Sequence, residues 1–189
     1  LQMTHQQTPS QTVGPFFAYG LTPEQYGYRL RSIAGRQVKG TESATTAIRI
    51  VGQVFDGDDQ VVTDAVLEIW QADEQGRYPH PRDPSRPNSD FAGFARVGTG
   101  TEPDGRYTFE TVKPGSTGSG QAPHIHLIVF MRGLPMHVYT RVYCPDEEAA
   151  NASDPVLALV PESRRATLIA TAEEGGPAPT YRFDVRMQG

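Results

Sequence analysis

The chain has 189 residues and a formal net charge of −5, with 17 lysines and arginines against 22 aspartates and glutamates. This length suits a single domain with one substantial core, and an acidic chain without any run of basic residues is not typical of a nucleic-acid-binding surface. The longest apolar run, residues 127–131, is far too short to cross a bilayer. The single cysteine, Cys144, precludes an internal disulfide and fits a cytoplasmic location. We therefore expect one cytoplasmic domain over residues 1–189.

The first twenty residues are expected to form an arm. They contain few large aliphatic side chains, yet Phe16 and Phe17 directly follow the turn-forming pair Gly14 and Pro15. Two adjacent aromatic rings favour docking of residues 1–20 on a surface of this chain or of a partner, and the alternative is a frayed terminus.

Short segments rich in β-branched and aromatic residues recur along the chain, separated by connections rich in glycine and proline. The predicted strands cover residues 47–62 as a hairpin, 66–72, 105–112, 121–130, 138–143 and 181–187. One clear helix is predicted over residues 162–173, with a further helical turn near residues 146–152. The pattern predicts a mainly β fold, an antiparallel β-sandwich with long loops and one or two short helices.

The predicted strand 121–130 carries the most chemically informative pair of side chains. His124 and His126 are two residues apart, so on a strand they leave the same face with their Cα atoms roughly 6.5 to 7 Å apart. Two imidazoles in this arrangement can share one metal ion. The alternative is an ordinary hydrogen-bonded histidine pair.

Tyr78 is the candidate third ligand. It lies in residues 73–103, which are predicted to form a long loop. A phenol ionises near neutral pH only where a cation stabilises the phenolate, and a hard oxygen with two imidazoles suits ferric iron. The alternative is an aromatic side chain that covers the edge of the core.

Four ordered motifs resemble the intradiol ring-cleavage dioxygenases. They are Trp-Gln-Ala-Asp-x-x-Gly-x-Tyr ending at Tyr78, Lys-Pro-Gly at residues 113–115, Pro-His-Ile-His at residues 123–126 and Tyr-Arg-Phe-Asp-Val at residues 181–185. The resemblance implies a β-sandwich of a family that binds non-haem ferric iron with two tyrosines and two histidines. Members of that family cleave catechols between the two hydroxyls with O₂.

Within the family, the resemblance is to members that pair an iron-bearing beta chain with a related alpha chain. Residues 12–15, 132–133 and 140–143 resemble the alpha chain, and residues 113–123 lack the tyrosine that supplies the fourth ligand in the catalytic pattern. The resemblance therefore implies no catalytic residue and no metal in this chain, with Fe³⁺ in the beta chain of an alpha–beta hetero-oligomer. Tyr78, His124 and His126 would then be remnant ligand positions. Tyr107 or Tyr139 is a possible substitute for the missing tyrosine.

The resemblance also implies that four residues of this chain face the iron pocket of the partner and contact substrate. These are Arg132, Thr12, Gly14 and Pro15. The guanidinium of Arg132 is suited to the carboxylate of an acidic aromatic substrate, because it can form two parallel hydrogen bonds with it. The alternative is an arginine that only caps a strand end.

Two other functions remain open from the residues alone. One is an autonomous intradiol enzyme that uses its own three ligands, and the other is a sandwich-type binding module without a redox role.

Overall fold

The computed structural model describes residues 6–41, 44, 46–118, 120–175 and 178–188. Within these ranges the chain forms ten β-strands and three short α-helices. The strands are β1 (Ala47–Gly52), β2 (Val54–Phe55), β3 (Val66–Gln71), β4 (Phe94–Gly98), β5 (Tyr107–Val112), β6 (His124–Phe130), β7 (Val138–Tyr143), β8 (Thr171–Glu173), β9 (Thr180–Arg182) and β10 (Val185–Arg186). The helices are α1 (Phe16–Leu21), α2 (Glu148–Ser153) and α3 (Glu162–Arg165), and 3-10 turns cover Pro23–Tyr26, Leu157–Leu159 and Ala166–Leu168. None of the helices in these ranges is long and apolar enough to span a membrane.

The strands build two four-stranded sheets. One has the order β5-β1-β9-β8 and the other has the order β4-β3-β6-β7, while β10 pairs with β2. The prediction of a mainly β sandwich is confirmed. Two pairings, β1 with β9 and β2 with β10, are parallel and add to the otherwise antiparallel arrangement.

The core lies between the inner faces of the sheets because side chains alternate along each strand. In β6, Ile125, Leu127 and Val129 are buried in this core, so the intervening His124 and His126 lie on the outer face. Strand β3 is buried along most of its length, as expected for a central strand covered on both sides.

The predicted helix over residues 162–173 is confirmed as far as Leu168, as α3 followed by the 3-10 turn Ala166–Leu168, and it is wrong beyond that point. The helix α3 ends at Arg165, and the backbone N–H of Ala170 donates to the carbonyl of Tyr143 at 3.0 Å. Strand β8 then pairs with β9. The backbone N–H and C=O groups of Ala170 and β8 therefore form hydrogen bonds with Tyr143 and with β9, and not with each other as they would in a longer helix.

Two other segments differ from prediction. The predicted loop 73–103 contains β4, which pairs antiparallel with β3. The predicted strand 181–187 is divided between β9 and β10, which pair with different strands. Asp184 lies at the division, where its carboxylate accepts a hydrogen bond from the backbone N–H of Gln53 at 3.0 Å.

Candidate functional site

Strand β6 holds the two histidines in the geometry that its sequence predicts. The Nε2 atoms of His124 and His126 lie 3.3 Å apart. Nδ1 of His124 lies 2.7 Å from the carbonyl oxygen of Ala122, which can only accept, so Nδ1 carries the proton. The free lone pair of His124 is therefore on Nε2, the atom that faces His126.

Tyr78 reaches the same point from the loop after β3. Its hydroxyl lies 3.5 Å from Nε2 of His126, its ring stacks on Trp70 with centroids 5.9 Å apart, and its backbone N–H donates to Asp83 at 2.8 Å. Gly76 makes the preceding turn possible, because its φ is +76° and a Cβ there would lie 2.0 Å from the carbonyl oxygen of Ser116. We call Tyr78, His124 and His126 the remnant cluster.

Burial determines the protonation of the remnant cluster. Desolvation lowers the pKa of His126 to about 4, with further lowering by His124 and by the positive charge of Arg141. Desolvation also lowers the pKa of His124 and raises that of Tyr78. At neutral pH the cluster thus presents two neutral imidazoles and a protonated phenol.

These donors fit three positions of a ferric site built from phenolate and imidazole, and they leave the fourth unfilled. Residues 113–123 contain no tyrosine. Tyr107 lies in the opposite sheet, where its buried hydroxyl donates to the carbonyl of Phe183. The side chain of Tyr139 is 69% exposed, and its hydroxyl lies 2.7 Å from His137. In the described part of the chain, no group of three or more histidine, cysteine or acidic side chains is arranged to hold a metal ion.

Strand β7 contributes two residues, Arg141 and Tyr143, to which the sequence motifs assigned no role at this site. The antiparallel register places Arg141 opposite His126 and Tyr143 opposite His124. Arg141 donates from Nη1 to the side-chain oxygen of Gln121 at 2.8 Å and to the hydroxyl of Tyr143 at 3.4 Å. The alternation of Tyr139, Arg141 and Tyr143 along one strand is the signal that would have placed them on one face.

Asp154 fixes the chain segment that leads into β6. Its carboxylate accepts hydrogen bonds from the N–H groups of Ala122, Val156 and Leu157 and from the hydroxyl of Tyr143, at 2.7–3.0 Å. Burial by itself raises the pKa of Asp154, but these hydrogen bonds outweigh it and hold the pKa below its ordinary value.

Thr12 lies next to the turn after β6, beside Arg132. The backbone N–H of Gly133 donates to the hydroxyl of Thr12 at 2.8 Å, and Phe17 packs against Phe130 with ring centroids 5.5 Å apart. Nε of Arg132 lies 3.1 Å from the carboxylate of Asp64, and the Arg132 side chain is 67% exposed.

Gly14 and Pro15, which follow Thr12 in the chain, are both exposed. We call Thr12, Gly14, Pro15 and Arg132 the arm patch. The structure therefore places Thr12 next to Arg132, and it leaves the arm patch open to contact from outside the chain.

Comparison with known proteins identifies the family. A profile of the dioxygenase family matches residues 29–189. The chain is 56% identical to the protocatechuate 3,4-dioxygenase alpha chain of Burkholderia cepacia over 188 residues, which cover 98% of this chain and 94% of the relative. The chain belongs to the intradiol dioxygenase family.

Other members of the intradiol dioxygenase family are similar over much of the chain. The protocatechuate 3,4-dioxygenase alpha chain of Pseudomonas putida is 42% identical, covering 97% of this chain and 92% of the relative. The protocatechuate 3,4-dioxygenase beta chain of Burkholderia cepacia is 35% identical, and the match covers 80% of this chain and 68% of the relative. The solved structure of an intradiol ring-cleavage dioxygenase from Tetranychus urticae superposes on this chain with a TM-score of 0.64 at 16% sequence identity. The match covers 96% of this chain and 94% of the solved chain, and it supports a shared fold.

Proposed function

We propose that this chain is the alpha subunit of a protocatechuate 3,4-dioxygenase. The reaction joins both atoms of O₂ to protocatechuate as the ring opens between the two hydroxyls, which gives 3-carboxy-cis,cis-muconate. The observation that carries the proposal is the 56% identity to an alpha chain over nearly the whole of both sequences. Membership of a dioxygenase family favours this function over a binding module without redox chemistry.

The catalytic Fe³⁺ belongs, in this proposal, to a beta chain. The remnant cluster supplies three donors, and residues 113–123 provide no second tyrosine as the fourth ligand. Bound ferric iron supplies Lewis acidity toward the two catechol oxygens. In this chain, no tyrosine of that loop is present to accept a proton from the incoming catechol. Arg141 adds a positive charge beside the cluster that opposes the binding of a cation.

The arm patch is the contribution of this chain to substrate binding. Protocatechuate carries a carboxylate away from its two hydroxyls, and the exposed guanidinium of Arg132 can meet it or attract it from a distance. The hydrogen bond from the backbone N–H of Gly133 holds Thr12 against the residue that follows Arg132. Gly14 and Pro15 then bring backbone close to the ring without adding a charge.

The architecture of the assembly follows from the same proposal. Residues 1–189 act as one sandwich domain whose arm, residues 1–20, docks on the beta chain of an alpha–beta hetero-oligomer. The assembly works in the cytoplasm, which is consistent with a lone cysteine that is buried and unpaired within the described residues.

Co-expression tests the proposed function. The chain is purified alone and together with the beta chain of its own operon, and both preparations are assayed for O₂ uptake with protocatechuate and for visible absorption from tyrosinate bound to ferric iron. We expect the isolated chain to be colourless and inactive and the complex to be coloured and active. An isolated chain that is coloured and takes up O₂ would instead identify an autonomous enzyme.

A further inference from the structure

An open cavity lies beside the remnant cluster, on the outer face of the β4-β3-β6-β7 sheet. Its volume is about 410 Å³. One wall is formed by β6 and β7, where it is lined by His126 and Arg141. The other wall is formed by the segment after α2, which contributes Val156, Leu157, Val160 and Leu168. The cavity thus has one cationic side and one aliphatic side.

Arg141 has no acidic partner in the described chain. The side chain takes part in no ion pair there, and both of its hydrogen bonds to protein groups start from Nη1. Its Nε and Nη2 groups therefore have N–H donors to offer to a ligand. A half-buried guanidinium without a carboxylate is costly to hold, because it has lost part of its hydration without gaining a counter-charge.

Asp154, which shares the Tyr143 hydroxyl with Arg141, forms no ion pair with it in the described part of the chain. Asp154 accepts four hydrogen bonds from other protein groups, and one of these comes from the Tyr143 hydroxyl that Arg141 also contacts. No acidic side chain lines the cavity within the described residues.

We propose that this cavity binds a small organic acid, with its carboxylate on the guanidinium of Arg141 and its apolar body against Val156, Leu157, Val160 and Leu168. The planar guanidinium can form two parallel hydrogen bonds with a carboxylate. The aliphatic wall selects an acid with an aromatic or alkyl body over an inorganic anion. The proposal goes beyond the proposed function, because it assigns a ligand to this chain and not to the partner.

Titration of the assembled alpha–beta complex with 4-fluorobenzoate tests the proposal, with binding followed by fluorine NMR and calorimetry. The complex with Arg141→Gln is expected to bind one fluorobenzoate fewer per alpha–beta pair than the unmodified complex, or to bind it roughly ten- to hundredfold more weakly at that site. The conservative variant Arg141→Lys keeps the charge and is expected to retain the site with reduced affinity. The control Arg49→Gln changes a half-buried arginine on the opposite sheet and is expected to leave the titration unchanged.

Gel filtration and thermal unfolding of each variant complex separate lost binding from lost folding. 4-Fluorobenzamide, which has the same shape without the charge, is expected not to occupy the Arg141 site. Equal stoichiometry and affinity in the intact Arg141→Gln and unmodified complexes would overturn the proposal. Equal binding of the amide and the acid at this site would also overturn it.

Discussion

The remnant cluster and the arm patch differ in how firmly the fold holds their side chains. His124 and His126 are oriented by a central strand, and Tyr78 is held by a ring stack and a backbone hydrogen bond. Arg132, in contrast, is 67% exposed and has one carboxylate partner. Under the proposed function, well-oriented donors are not sufficient for a catalytic role, because residues 113–123 supply no tyrosine as a fourth ligand and base. In the same proposal, the loosely held Arg132 acts across the interface with the beta chain.

The largest expected effect is on the scaffold of the remnant cluster. Asp154→Asn removes a buried charge that accepts four hydrogen bonds, so we expect the free energy of unfolding to fall by about 2–4 kcal/mol at pH 7. Urea unfolding of the purified chain measures this loss. Asp58→Asn, at an exposed turn, is the control and should change stability by less than about 0.5 kcal/mol.

The same substitution should change the response to acid. The folded-state pKa of Asp154 is lowered, so the unfolded chain binds more protons as the pH falls. The stabilisation from this carboxylate is therefore present above its unfolded pKa, near about 4, and is lost as the pH falls through the folded pKa. Asp154→Asn should make stability less dependent on pH between about 5 and 3. An unchanged dependence would show that other groups control acid unfolding.

The next effect concerns the arm patch. In the alpha–beta complex, Arg132→Ala should raise KM for protocatechuate by an amount equivalent to about 1.5–3 kcal/mol if the contact is direct, and by less if Arg132 only steers the substrate. Catechol lacks the carboxylate and should be little affected. Arg186→Ala is a matched control, because Arg186 is similarly exposed and also pairs with one aspartate, Asp59. Equal losses for both substrates would make Arg132 a structural residue.

A smaller effect is expected at Gly14. A Cβ added there would meet nothing within 4 Å among the described residues outside its chain neighbours, so we expect the new contact to be with the partner or the substrate. We expect Gly14→Ala to raise KM for protocatechuate by about two- to tenfold in the complex. Gly20→Ala, also in open space, should leave KM unchanged. Identical kinetics for the two variants would remove Gly14 from the substrate pocket.

Local patterns predicted the strand that carries the histidines. The β-branched and large aliphatic residues of segment 121–130 predicted this strand, and the alternation of side chains along a strand placed both imidazoles on one face, as the structure has them. Such alternation depends only on the strand period, so it is readable from a short segment.

Features that depend on distant pairing were not predicted. Residues 171–173 continue an apolar pattern suited to a helix, yet they pair with β9, and β4 lies inside a segment that reads as a loop. The positions of Arg141 and Tyr143 beside the histidines follow from the register between β6 and β7, which the turn between these strands sets. The order of the sequence motifs identified Tyr78, His124 and His126 as potential ligands. It could not show that Arg141 lies next to them, because that depends on the strand register.

Iron content of the alpha–beta complex tests the central claim most directly. Elemental analysis and visible absorption are measured for the unmodified complex and for a complex with the double substitution His124→Gln and His126→Gln in this chain. The account predicts about one iron per alpha–beta pair in both complexes, with the same visible spectrum, because the metal is held by the beta chain. About two irons per pair, or the loss of one iron on double substitution, would show that the remnant cluster binds metal and would contradict the account.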